Sequence, residues 1–254
     1  MGLFGKLFEK KECAICGGEI GLLGNRKLED GNMCKACAAK LSPWFDERRH
    51  STVAQIEEQL EYRESNKENV AAFRTTLSLG ETAKVLVDED AGRFMVTSAR
   101  NYSEANPDVL ELSDITGCTY DIDEGIDEVT RFDENNEAVS YDPPRFTHSY
   151  NFYVTVYVNN PYFDDMRLKV NSRTVEVEER RGPAVSANPG SISLVIGSLS
   201  GAETFNPEAS VEYCTYRDLC ERIVATLLEN RQSAREEIAA AAAPKAAVAC
   251  PYCG

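Results

Sequence analysis

Four cysteines stand in two pairs near the start of the chain, Cys13-Ala-Ile-Cys16 and Cys34-Lys-Ala-Cys37, with seventeen residues between the pairs. Two residues between cysteines let both sulfurs of a pair turn towards one centre, about 2.3 Å from a zinc ion. The separation of the pairs falls in the window of a four-cysteine zinc site. Four thiolates fill a tetrahedral shell and leave no position for water or substrate, so the chemistry implied is structural Zn2+ rather than catalysis. Gly17 and Gly18 follow the first pair, where the chain must turn back and offer amide N–H groups to sulfur. Gly24-Asn25 and Asp30-Gly31 mark the turns of a small hairpin between the pairs. A redox CxxC would want a βαβ setting, and none surrounds either pair.

A third CxxC, Cys250-Pro-Tyr-Cys253, supplies only half of a second metal site. Three explanations stand open: a natural chain that continues past Gly254 into another CxxC, two chains sharing one zinc, or a redox pair. The first is the expectation, because the Ala-rich stretch 239–249 would tether a small terminal ribbon. Cys118 reads as strand core. Cys214 and Cys220 lie six apart on or beside a helix and face different ways.

Nothing else on the chain forms a catalytic constellation. Phosphate-binding, dinucleotide, zinc-protease and nucleophile-elbow motifs are absent. Only His50 and His148 exist, which denies most acid–base schemes their usual base. His50 reads as a surface residue and His148 as part of a loop entering a strand. The acidic stretch from Asp121 fails as a calcium loop, with Gly125 one place early and Phe132 where Glu is wanted. It reads as a solvated loop. A non-enzyme with no small-molecule substrate is expected.

The elements that must position these residues follow from patterning. Leu3, Phe4, Leu7 and Phe8 recur at helical spacing in residues 1–11, beside Lys6, Lys10 and Lys11. They suit a membrane surface, the zinc module or a partner. The myristoylation pattern is not met, since Lys6 stands where Ser or Thr is required. Residues 12–50 form the zinc-ribbon module, ending near Ser42-Pro43-Trp44. Residues 51–74 read as a connecting helix, opened by a Thr52/Gln55 capping box, with Val53, Ile56 and Leu60 as its apolar stripe.

From residue 75 to 238 the texture is antiparallel strands closed by a helix. Lys84–Val87 and Arg93–Thr97 flank a Gly-containing loop. Val109–Leu112, Thr116–Ile122, 151–159, 166–177 and Ile192–Ile196 read as further strands. Phe152, Val154, Val156 and Val158 share one face, Tyr153, Thr155 and Tyr157 the other, so that strand is central. Thr215–Ile238 reads as the closing helix on a stripe of Tyr216, Leu219, Cys220, Ile223 and Leu227. The fold class is α+β: a zinc ribbon, a connecting helix, and a β-barrel-like domain closed by a C-terminal helix. Residues 239–254 are linker and half-site.

The formal net charge is −15. Residues 1–50 hold nine Lys/Arg against seven Asp/Glu, and the remainder is strongly acidic. Such a body repels phosphate backbones, so nucleic acid is a poor partner for it. Only Lys27, Lys35, Lys40, Arg48 and Arg49 could serve a nucleic-acid-binding regulator. No run of about 18 apolar residues exists, and the first residues lack a secretory pattern. A cytoplasmic chain is the expectation, with peripheral attachment at the inner face of the membrane through residues 1–11 left open. Its thiols would stay reduced.

Residues 12–60 resemble a bacterial zinc-ribbon family known as domain of unknown function 4428. The resemblance is carried by Cys13-Ala-Ile-Cys16-Gly, Gly21-Leu22-Leu23, Lys27-Leu28-Glu29-Asp30-Gly31 and Cys34-Lys35-Ala36-Cys37. The later region is similar to bacterial pleckstrin-homology-like domains, through the Val109–Ile115 strand-and-turn and the closing helix. The zinc-ribbon family implies no known catalytic residue. The leading expectation is a non-enzymatic adaptor or scaffold that binds other proteins, and the alternative is a zinc-ribbon regulator contacting nucleic acid.

Overall fold

The computed structural model describes residues 11–179 and 205–243. Leu3, Phe4, Leu7, Phe8, the Ile192–Ile196 strand, and Cys250 and Cys253 lie outside them.

Residues 11–50 build a small module from β1 (Lys11–Glu12), β2 (Glu19–Ile20), β3 (Asn25–Lys27), β4 (Asn32–Cys34) and α1 (Lys35–Ala38). β1 pairs with β2 and β3 with β4, both antiparallel. Too few apolar side chains exist here for an independent core. Ile20, Leu28, Met33 and Leu41 gather instead around Cys13, Cys37 and Ile56 of the next helix. That helix, α2 (Val53–Ala72), starts at the capping box, with Thr52 Oγ1 accepting from Gln55 N and Thr52 N donating to Gln55 Oε1.

Next comes a four-stranded meander of β5 (Leu77–Leu79), β6 (Lys84–Asp88), β7 (Arg93–Thr97) and β8 (Val109–Glu111), with α3 (Tyr102–Ala105) between the last two. Gly92 adopts φ +66° in the β6–β7 turn, a conformation that favours glycine. Alternation gives this sheet two buried faces. Val85, Val87, Phe94, Val96 and Leu110 face the main core. Leu86, Met95 and Val109 face Val70 and Phe73 at the end of α2.

A 3-10 turn at Leu112–Asp114 carries the chain into the second sheet: β9 (Ile115–Phe132), β10 (Ala138–Val158), β11 (Asp165–Lys169) and β12 (Val175–Glu178). β10 is central. β9 runs along one edge, and β11 and β12 follow one another along the other. The 3-10 helix Pro207–Ala209 then leads into α4 (Val211–Ala242). Tyr216, Leu219, Cys220, Ile223 and Leu227 of α4 are buried in the main core, as the stripe requires.

Four expectations are corrected. The sheets are open, not a closed barrel: among the described residues no ladder joins β5–β8 to β9–β12, because the turn at Leu112–Asp114 takes the chain out of the first sheet before β9 begins. The acidic stretch from Asp121 is not a loop but most of the outer half of β9. One edge of that strand pairs with β10 and its flanks meet solvent, so its acidic residues stay hydrated while its backbone is paired. Residues 166–177 form two strands, because Asn171 turns inward between them. Its Oδ1 accepts from Phe152 N, and its Nδ2 donates to Tyr150 O and Arg173 O. His148 lies within β10 and is buried.

Among the described residues no helix is long and apolar enough to cross a membrane.

Candidate metal centre

Two tight turns bring the cysteines together. The first pair lies in a loop in which Cys13 N donates to Gly18 O at 2.8 Å and Gly17 N to Cys13 O at 2.8 Å, with Gly17 at φ +68°. The second pair straddles the start of α1, where Cys34 Sγ accepts from Cys37 N at 3.3 Å. The hairpin between them folds the two loops onto each other, and Cys34 N donates to Cys13 Sγ at 3.2 Å. All four sulfurs lie within 4.8 Å of one another. Cys13 and Cys37 are buried, Cys34 is half-buried and Cys16 is exposed.

This donor set fits a tetrahedral metal. Sulfurs about 2.3 Å from a common centre stand about 3.8 Å apart, and Cys16 Sγ lies 3.9 Å from Cys34 Sγ. The electrostatics point the same way. Burial raises the Cys13 thiol, but the N–H groups of Cys34, Cys16 and Ile15 outweigh it and hold the pKa down to about 6. Burial and the surrounding sulfurs push Cys37 up to about 12. Sulfurs this crowded resist joint ionisation unless a cation sits among them.

The module is fastened to its neighbours at two places. At the first, Asp30 Oδ1 accepts from Val53 N at 2.8 Å, and a Cβ on Gly31 would stand 2.8 Å from Val53 Cγ2. Only glycine lets the hairpin turn come this close to the start of α2. At the second, Ser42 Oγ donates to Asp108 Oδ2 at 2.8 Å, and Arg63 Nη1 donates to Asp108 Oδ1 at 2.7 Å. Arg63 also donates to Lys40 O and to Asn106 O. One helix turn on, Asn66 Nδ2 donates to Pro107 O and Asn66 Oδ1 accepts from Val109 N. Burial raises the Asp108 pKa, while Arg63 and Ser42 pull it down.

The sequence reading missed this network. Gln59, Arg63 and Asn66 are buried between Ile56 and Val70, so the inward stripe of α2 is mostly polar. No local signal marks it, because Arg63 and Asn66 find their partners, Asn106 to Val109, some forty residues further on.

A second polar group was also missed. His148 Nδ1 lies 2.8 Å from Glu124 Oε1, which also accepts from the Tyr150 hydroxyl at 2.7 Å. The His148 ring stacks on Phe205 with centroids 3.7 Å apart. His50 is exposed on a 3-10 turn, away from the sulfurs. Of the basic set, Lys27, Lys35, Lys40 and Arg49 are exposed, while Arg48 Nη1 donates to Lys27 O. Cys118 and Cys220 are buried separately, and Cys214 Sγ donates to Glu208 O.

No curated protein and no solved structure matches the chain. The segment that holds all four clustered cysteines, residues 11–59, matches the model of the family described as a domain of unknown function, DUF4428.

Proposed function

We propose that the protein is a non-enzymatic adaptor, in which Cys13, Cys16, Cys34 and Cys37 hold one structural zinc ion that keeps a small knuckle folded on a β-domain. Soft thiolates select zinc among the common intracellular divalent ions. A four-sulfur shell offers no open position, so the bound metal stabilises and does not catalyse. The observation that carries the reading is the four-sulfur cluster on a module too small to hold itself. Its apolar set is completed by Ile56 of α2, with Val53 and Leu60 packed against it. Metal binding contributes on the order of 10–16 kcal/mol to folding in zinc-finger peptides.

We read the β-domain as pleckstrin-homology-like, a reading supported by its four-stranded meander, its second antiparallel sheet and the one helix on the shared core. Such domains present surfaces to proteins, and an acidic body with a metal-held appendage suits protein partners in a reducing cytoplasm.

The test is affinity capture from a reducing lysate with the full chain, the chain lacking residues 1–50, and Cys16→Ala. The reading expects a defined protein set bound by the full chain and reduced in both others. Capture of nucleic acid with a steep salt dependence would replace the adaptor by a nucleic-acid regulator.

A further inference from the structure

We propose that the Leu22-Leu23 tip of the knuckle, with Arg26 at its base and the Arg48-Arg49 turn along β3 behind it, is a docking surface for an anionic lipid bilayer. Leu22 is 81 % exposed and Leu23 92 %. They occupy the middle of a tight turn closed by Gly24 N donating to Gly21 O at 2.9 Å, so they stand out from the module rather than line a groove. A convex tip two residues wide buries little area against a flat protein. A bilayer closes around it on every side, and adjacent leucines gain from that burial.

Charge selects the kind of surface. Arg26 Nη1 donates to Leu23 O at 3.4 Å, which sets this cation at the base of the tip. Arg48 Nη1 donates to Lys27 O at 2.6 Å, which lays the Glu47–His50 turn along β3, the strand that leads away from the tip. Arg26 and Arg49 are the charges that act on Arg48, and both lower its pKa after burial does. None of the three forms an ion pair among the described residues, in a chain of net charge −15. Guanidiniums match phosphate oxygens in pairs, and lipid phosphates would relieve their mutual repulsion. The acidic body does not cancel this, because charges beyond about 8 Å are largely screened at physiological salt.

The inference extends the adaptor reading and shares with it only the need for a folded knuckle. The experiment is flotation of the full chain with vesicles of phosphatidylcholine alone and of phosphatidylcholine mixed with phosphatidylglycerol. Metal content and circular dichroism check that each variant is folded. The expected result is binding to the anionic vesicles only, weakened by salt. Leu22→Ser with Leu23→Ser should lower it about tenfold, and Arg26→Gln with Arg49→Gln should bring it towards the phosphatidylcholine level. A fourfold serine variant at Leu3, Phe4, Leu7 and Phe8 tests the apolar residues of the first segment separately. If it abolishes binding while the Leu22/Leu23 variant binds normally, the inference is overturned. Absence of vesicle binding by folded protein also overturns it, as does capture of an acidic protein through Leu22-Leu23 without vesicle binding. Neither result touches the adaptor reading, which the affinity capture decides.

Discussion

Arg63 Nη1 lies 2.7 Å from Asp108 Oδ1, with the two side chains only 7 % and 0 % exposed. This buried pair joins three parts of the molecule. Arg63 belongs to α2, Asp108 to the turn before β8, and Ser42 of the cysteine module donates to the same carboxylate. Replacing such a pair with apolar residues is often tolerated, but removing one partner strands a charge. Arg63→Met or Asp108→Asn should therefore cost about 3–5 kcal/mol in urea unfolding. The double variant Arg63→Met with Asp108→Asn should cost less than the two single losses added together. In the single variants, amides of residues 11–50 should exchange faster with deuterium, because the module loses its second fastening. An unchanged urea midpoint in both single variants would remove the pair from the account.

The α2 network shows where sequence and structure part. Cysteine spacing is local, so the metal cluster was legible from four letters and two separations. The Thr52–Gln55 capping box was legible for the same reason. Gln59, Arg63 and Asn66 were not, because polar residues at helical spacing read as a solvated face. The partners of Arg63 and Asn66 lie some forty residues further on, where nothing local announces them. The outer half of β9 was misread for a related cause. An edge strand with both flanks wet carries no apolar alternation, and its acidic residues imitate a loop. His148 was misplaced because Pro143 and Pro144 precede it. β10 accommodates them in the register shift between Ser140 and Arg145, then continues inward.

Glu124 gives a pH-dependent contribution with a definite sign. Hydrogen bonds from His148 and then Tyr150 lower its pKa below the ordinary 4.5. The folded state therefore binds its proton less readily than the unfolded chain. The resulting stability is fully present above the unfolded value and is lost as pH falls through the folded one. Glu124 is 44 % exposed at its side chain, so the effect stays below about 1 kcal/mol. Glu124→Gln should be less stable than the parent at neutral pH, and the gap should close below pH 4.5. Denaturation midpoints across that range check it, and a constant gap would contradict it.

Cys118 and Cys220 should be inert in the folded protein. Burial pushes each thiol up to about 12, and neither reaches solvent. Alkylation with iodoacetamide at mildly alkaline pH, mapped by peptide mass spectrometry, should label neither until denaturant is added. Cys16, exposed at the edge of the cluster, should become reactive once a chelator is present. Labelling of Cys220 in native protein would mean that α4 opens from the core.

The central claim is that Cys13, Cys16, Cys34 and Cys37 share one structural metal ion. The most direct measurement is zinc per chain by elemental mass spectrometry on reduced, freshly purified protein carrying Cys250→Ser and Cys253→Ser. The same sample is compared with one that also carries Cys16→Ala. The account predicts about one zinc per chain in the first and none held tightly in the second, with the signal of the β-domain retained in both. No zinc in the first sample, or a disulfide joining Cys13 or Cys16 to Cys34 or Cys37, would contradict it.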